Sequence, residues 1–241
     1  MCLFAAVSNS IKLLEESLKI PLFIRNTRNI SLTEEGKLLL TQCYRLKNEL
    51  DTARNLISKF QESPTGTLKI SCNPYFASNY LIKKLEEYMH KYPQVNIELL
   101  AEERMPDIER EQIDIVFGIN WPAPPDIVRK VIGKTRYVLC ASKPYLEKYG
   151  KPKRLKDLET NHNYIPHIGR KNKNLLVNLK TNLNLNLTSK LKSNNAEFMK
   201  KCALENMGII QLHDYMVKEE VKNGDLIEIL KDEFKEEIPI Y

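Results

Sequence analysis

The chain has 241 residues, of which 37 are basic and 31 acidic, giving a formal charge of +6 with 42% hydrophobic residues. This length supports a substantial core and more than one domain. It shows no long apolar span and no charged-then-apolar leader, so neither a membrane-spanning segment nor a secretory signal is expected, and a cytoplasmic location is.

The mild basicity suits a nucleic-acid partner without specifying one. The acid-free stretch from Thr160 to Ala196 holds Arg170, Lys171, Lys173, Lys180, Lys190 and Lys192, which equal the whole excess. A solvated loop and strand face accounts for them. The five cysteines, Cys2, Cys43, Cys72, Cys140 and Cys202, are far apart and show no metal or redox spacing, so buried, reduced thiols are expected.

From the amino terminus, Val7, Ile11, Leu14 and Leu18 recur at helical spacing and form an apolar face. Ser8, Asn9, Ser10 and Lys12 stand on the other face, short-chained and hydrogen-bonding. Such a face can enter a major groove, where Ser and Asn meet base edges and Lys meets guanine or phosphate. No acidic residue lies between Lys19 and Ser31, and the β-prone Leu22-Phe23-Ile24 and Asn29 to Leu32 flank Arg25 to Arg28. This pattern predicts a basic hairpin laid on phosphates. Spacing alone equally allows an ordinary amphipathic helix and hairpin.

A long helix follows. Thr33 is its expected N-cap, Glu34 and Glu35 favour the positive end, and Pro64 and Gly66 supply the stop. Leu39, Cys43, Leu46, Leu50, Ala53, Ile57 and Phe60 alternate at four-three spacing for three heptads. The stripe fits either packing on its own domain or pairing with a second copy.

Beyond Gly66 helix and strand signals alternate. Strands are predicted at Leu68 to Cys72, Val95 to Ala101, the buried run Ile113 to Ile119, Tyr137 to Ala141, Met207 to Leu212 and Leu226 to Ile229. Helices are predicted at Ser78 to Tyr92, Pro106 to Gln112, Lys143 to Tyr149, Glu197 to Asn206 and His213 to Lys222. The alternation implies βαβ units and a parallel-rich sheet, with ligands beyond the carboxyl ends of the strands. Free backbone N–H groups in the Asn73 to Ser78 turn suit an anion or carbonyl, unless the turn is simply fixed by Pro74. Tyr75 and Phe76 fit equally as filling of the first lobe, and Trp121 fits equally as a cleft platform or a packed loop anchor.

The run Val7-Ser8-Asn9-Ser10-Ile11, Leu14-Glu15, Leu22-Phe23, Arg25, Thr27-Arg28 and Leu32-Thr33-Glu34-Glu35-Gly36 resembles the second half of the winged helix-turn-helix of LysR-type transcriptional regulators. Gly66 to Ser71, Asp114 to Gly118, Tyr137 to Ser142, Tyr145-Leu146, Gly208 to Ile210 and Gly224 to Leu226 resemble the effector domain of the same family. The resemblance implies an α+β multi-domain chain: a partial winged helix-turn-helix (residues 1–33), a linker and dimerisation helix (34–65), and a two-lobed α/β periplasmic-binding-protein-like (type 2) effector domain (66–241). The first lobe is expected at about 66–139 and the second at about 140–236, with Ile238 to Tyr241 beginning the strand that returns to the first lobe. Only Met1 to Phe4 precede Ala5, so the family's first helix is expected to lack a counterpart, as is its final one, and apolar surface to be exposed at both places.

By the same resemblance, Ser8, Asn9, Ser10, Lys12, Arg25, Thr27 and Arg28 contact double-stranded promoter DNA. Asn73, Pro74, Tyr75, Phe76 and Ser78, with Gly118, Asn120 and Trp121, face a small-molecule effector opposite Asn194 and Asn195. Leu39, Leu46, Leu50, Ala53 and Ile57 pair two subunits in a homodimer or dimer of dimers. No cofactor, metal or membrane partner is implied.

An enzyme finds little support. His90, His162, His167 and His213 are scattered, His162 and His167 in a polar loop, without a nucleophile elbow or phosphate loop. A solute receptor would explain the lobes but not residues 7 to 36, and a stand-alone effector-binding or dimerising module is the remaining alternative.

Overall fold

The computed structural model describes residues 2–25, 30–58, 64–120, 127–168, 185 and 187–241. The chain folds as two compact units, one of Met1–Leu68, Tyr92–Asn96 and Pro106–Asp114, the other of the remaining residues.

In the first unit, helix α1 (Cys2–Leu18) leads to the antiparallel hairpin β1 (Phe23–Arg25) and β2 (Ile30–Leu32), paired Phe23 to Leu32 and Arg25 to Ile30. The Glu15 carboxylate ties helix to hairpin by accepting from the Leu22 and Phe23 amides at 2.7 and 3.0 Å. Helix α2 (Glu34–Ser58) starts where its cap signals predict. The Thr33 hydroxyl accepts from the Gly36 amide and donates to the Pro21 carbonyl, both at 2.9 Å, so one residue both caps α2 and seats the hairpin.

Strand β3 (Gly66–Cys72) is followed by α3 (Pro74–Phe76), a π-helical turn (Ala77–Leu81) and α4 (Ile82–Lys91). The helical segment therefore begins four residues before the expected Ser78. Asn73 caps it by accepting from the Tyr75 amide at 2.8 Å, and Pro74 opens it, a first-turn residue whose missing N–H costs nothing there. Strand β4 (Val95–Ala101) lies as predicted. Helix α5 (Ile108–Glu111) is shorter than predicted because Asp107 caps it and Gln112, left-handed at φ 53°, ends it. Of the expected buried run Ile113 to Ile119, only Ile113 is buried and only β5 (Ile115–Val116) is strand. In the order β4-β3-β5 this strand is an edge, paired on one side only among the described residues.

Strands β6 (Gly133–Thr135) and β7 (Tyr137–Ser142), helix α6 (Lys143–Tyr149), β8 (Tyr164–Ile165), α7 (Ala196–Leu204), β9 (Ile209–His213), α8 (Lys218–Asn223), β10 (Leu226–Ile229) and β11 (Ile238–Ile240) complete the second unit. A 3₁₀ turn, Asp214–Met216, stands where the predicted helix from His213 would have begun. Its four-stranded sheet runs β10-β7-β9-β8, with β7 antiparallel to both neighbours and β8 parallel to β9. The expected parallel-rich sheet is thus mixed. Strands β9 and β10 are parallel to each other and joined through α8, but β7 is inserted between them as a split crossover, an arrangement that helix-strand alternation does not reveal.

Val138 and Cys140 of β7 face one buried cluster with Ile165, Met199 and Ile210, while Leu139 and Ala141 face another with Tyr145, Leu158 and Ile229. The strand's two-residue period thereby builds core on both sides. Cys72, Cys140 and Cys202 are buried as expected, and burial pushes the Cys72 thiol up to about 11. Cys43 is exposed, a correction that follows from its place on the part of the α2 stripe that stays open among the described residues, with Leu46 and Leu50.

His162 lies in the polar loop between Glu159 and Tyr164 as expected, but not at the surface. It is buried beside the Tyr145 ring, and its Nδ1 has no hydrogen-bond partner among the described residues. Burial holds its pKa below the ordinary imidazole value, with Asp157 acting in the opposite direction. The unfolded ring takes up its proton near pH ~6.5, before the folded one does, so the unfolded state binds more protons in the window below that value. The stability contributed by neutral His162 is complete above this pH and is lost as pH falls towards the folded pKa. Urea midpoints measured from about pH 7.5 to about pH 5 should fall, and His162→Phe should flatten the fall. An unchanged slope in the variant would exclude His162 as the titrating group.

Candidate functional site

On α1, Ser8, Asn9, Ser10 and Lys12 are all exposed on one side, with Lys12 3.8 Å from Glu16. Val7, Leu14 and Leu18 are 53, 42 and 42% exposed, as expected for an apolar face that the described residues leave open. Arg25 ends β1, and Thr27 and Arg28 lie outside the described residues.

The α2 stripe is similarly open. Leu46 and Leu50 are 66 and 62% exposed, Cys43 and Ala53 are exposed, and Leu39 is half-buried. Ile57 belongs to the helix, but its side chain lies outside the described residues. Polar residues beside the stripe reach α5, Arg45 to Glu109 at 3.8 Å and Lys47 to Gln112.

In the second unit the expected effector residues gather where the β3 sheet and the four-stranded sheet meet. The amino terminus at Pro74 offers less to an anion than expected, since proline has no N–H and Asn73 already accepts from the Tyr75 amide. The Tyr75 ring meets Tyr215 edge-on at 5.9 Å and lies 4.8 Å from the Lys200 ammonium. Phe76 stacks on Tyr80 at 5.7 Å and approaches Phe117 at 5.2 Å, while Ser78 is exposed. Gly118 exchanges both backbone hydrogen bonds with Tyr241, at 3.1 and 2.9 Å. Asn120 is exposed and left-handed at φ 46°, and Trp121 lies outside the described residues.

Asn195 caps α7 by accepting from the Phe198 amide at 2.8 Å, and Asn194 is exposed beside it. The positive start of α7 already carries a carboxylate of this same chain. Glu103, in the loop after β4, accepts from the Ala196 amide at 3.0 Å through Oε1, and its Oε2 lies 3.3 Å from His167 Nε2. An incoming anion at this helix end would have to compete with Glu103.

Glu103, His167, Lys200, Tyr80 and Tyr215 escaped sequence reasoning because none stands in a motif, and the packing of distant elements assembles them. Lys200 is buried and paired with Glu220 at 2.8 Å and Glu197 at 3.1 Å. Burial works against its charge, but hydrogen bonds to the two carboxylates prevail and raise its pKa. Burial, followed by the charge of Glu103 and the neighbouring tyrosines, pushes the Tyr215 hydroxyl up and keeps it protonated. Among the described residues, no group of three His, Cys, Asp or Glu side chains could hold a metal ion, and no helix is long and apolar enough to cross a membrane.

Residues 61–241 match the LysR substrate binding domain, and residues 5–37 match the bacterial regulatory helix-turn-helix protein, lysR family. The HTH-type transcriptional activator AaeR of Escherichia coli K12 is 28% identical over 163 residues, 68% of this chain and 52% of that protein. The chain thus spans about half the length of that relative. The HTH-type transcriptional regulator YhjC of the same strain is 31% identical over 237 residues, 93% of this chain and 76% of that protein. Among solved structures, CrgA from Neisseria meningitidis, a LysR-type transcriptional regulator, superposes with a TM-score of 0.64 at 24% identity, covering 98% of this chain and 82% of that one. Full-length AphB, the Vibrio cholerae virulence activator, gives 0.61 at 22% identity over 98% of this chain and 81% of that one. These two likenesses support the two-lobed α/β fold. With the family's effector module spanning most of its length, the chain belongs to the LysR family of transcriptional regulators.

Proposed function

We propose that the protein is a DNA-binding transcriptional regulator controlled by a small-molecule effector, as the name of AaeR, a transcriptional activator, suggests for a relative. The observation that carries this reading is the exposed polar side of α1, with a hairpin locked to it through Glu15. In this reading Ser8, Asn9, Ser10 and Lys12 enter the major groove, while Arg25, Thr27 and Arg28 hold phosphate, because phosphate contacts position and base contacts specify. Residues 1–33 act as the DNA-binding part, 34–65 pair subunits through Leu39, Leu46, Leu50, Ala53 and Ile57, and 66–241 receive the effector between lobes of about 66–139 and 140–236. Such a regulator works in the cytoplasm, where the chromosome lies.

Fluorescence anisotropy with DNA from upstream of its own gene tests the reading. Arg25→Ala or Arg28→Ala should weaken binding to every sequence and each reduce the slope of log affinity against log salt by about 0.9, whereas Ser10→Ala should shift the preferred site. The absence of any sequence-specific binding would favour the second reading, a stand-alone effector-binding and dimerising module. The open apolar face of α1 supports that alternative, because a helix without packing is marginal.

A further inference from the structure

A cavity of about 630 Å³ lies beside strands β6 and β11, walled by Tyr80, Tyr215, Ile132, Gly133 and Val221. Its size is that of a site for one small molecule. Of the residues that the sequence assigns to the effector cleft, only Phe76 reaches it.

Three cations, Lys134, Arg136 and Lys218, and two carboxylates, Asp214 and Glu228, line it. Asp214 is spent within the wall, since its Oδ1 accepts from the Thr135 hydroxyl at 2.7 Å and the Tyr215 amide at 2.8 Å. Arg136 holds Glu228 through two nitrogens, at 2.6 and 3.2 Å, and Lys134 pairs with Glu237 at 3.1 Å. Lys218, the first residue of α8, also lines the cavity and forms no ion pair with a described residue. The remaining wall is apolar, with the stacked rings of Phe76 and Tyr80 and the edge-on ring of Tyr215 offering flat faces. Aromatic faces accept another ring at 4.5–7 Å separation by stacking or edge contact, roughly as they accept each other.

We propose that this cavity is a second ligand site, adjoining the candidate effector residues through Phe76, Tyr80 and Tyr215, for a flat aromatic monocarboxylate whose carboxylate meets Lys218 and whose ring packs against Tyr80 and Tyr215. Lys218, which has no ion-pair partner among the described residues, offers its ammonium to a carboxylate, and a ring fills an aromatic-walled space at low entropic cost. The site requires no DNA binding, so its test stands apart from that of the regulator reading.

Calorimetric titration of the whole protein with 2-naphthoate, and with the neutral 2-naphthamide, decides the matter. The acid should bind one to one and about tenfold or more tighter than the amide, and Lys218→Gln should bring it to the level of the amide. Gly133→Leu should abolish binding. A Cβ there meets nothing nearer than Ile240 Cδ1 at 3.9 Å, so the larger side chain enters the cavity without a backbone clash. Should that variant melt early, Ile132→Trp blocks the same space from a half-exposed position. Equal affinity for acid and amide, an affinity that survives both filling variants, or no binding heat with the wild type would each overturn the site.

Discussion

Gly36→Ala should destabilise the first unit by about 2–3 kcal/mol, although the same exchange inside an ordinary helix stabilises by about 0.5–1 kcal/mol. Two opposing effects act at this position, and distance decides between them. A Cβ on Gly36 would stand 2.2 Å from the Leu22 carbonyl oxygen and 3.1 Å from Leu32 Cδ2. The oxygen belongs to backbone, so no rotamer change relieves the clash. It also accepts the Thr33 amide at 2.9 Å, and Leu22 itself is 4% exposed, so moving it breaks a buried seat. The gain in helix propensity is smaller than this strain. Hydrogen-exchange mass spectrometry should show lost protection across residues 22–36, and under the proposed function DNA affinity should fall with it. A variant as protected as wild type would mean that the hairpin tolerates the methyl group and that Gly36 serves no close approach.

Elements whose signals are local were legible in the sequence. Thr33 with Glu34 and Glu35 marked the start of α2, and the apolar Leu226, Ile227 and Ile229 placed β10 to the residue. Strands β6 and β8, of three and two residues, are too short to show a period, and they exist only because β11 and β9 pair with them. The split crossover around β7 was hidden for a related reason. The order of helices and strands records which elements exist, not which strand is inserted between two others.

The candidate sites divide in the same way. The polar side of α1 is a property of one helix, so residues three or four apart announced it. Asn195 was visible as the start of a helix, but the group resting on that helix was not, because Glu103 stands 93 residues from Ala196. The cavity wall is similar, since Arg136 and Glu228 are 92 residues apart. Tertiary packing brings such partners together, and no spacing rule within one element anticipates them.

Replacing Leu46 and Leu50 together by lysine should convert the protein from dimer to monomer in solution. The α2 stripe is a seam with no cover among the described residues of the single chain, since Leu46 and Leu50 stay more than three-fifths exposed at 66 and 62%. Packing on its own domain, the competing account of the stripe, leaves these two positions open among the described residues. Burying one leucine contributes about 1.5–3 kcal/mol, and a symmetric pair of helices buries four at these two positions, so the loss is on the order of 6 kcal/mol or more. That corresponds to a dissociation constant raised roughly ten-thousandfold, before the further cost of placing like charges in a desolvated contact. The folded chain should tolerate both changes, because both sites face water in the monomer. Light scattering at micromolar concentration, read beside circular dichroism, gives the outcome. A variant that stays dimeric with unchanged helix content would move the subunit contact away from α2, and a monomeric wild type would remove the α2 pairing itself.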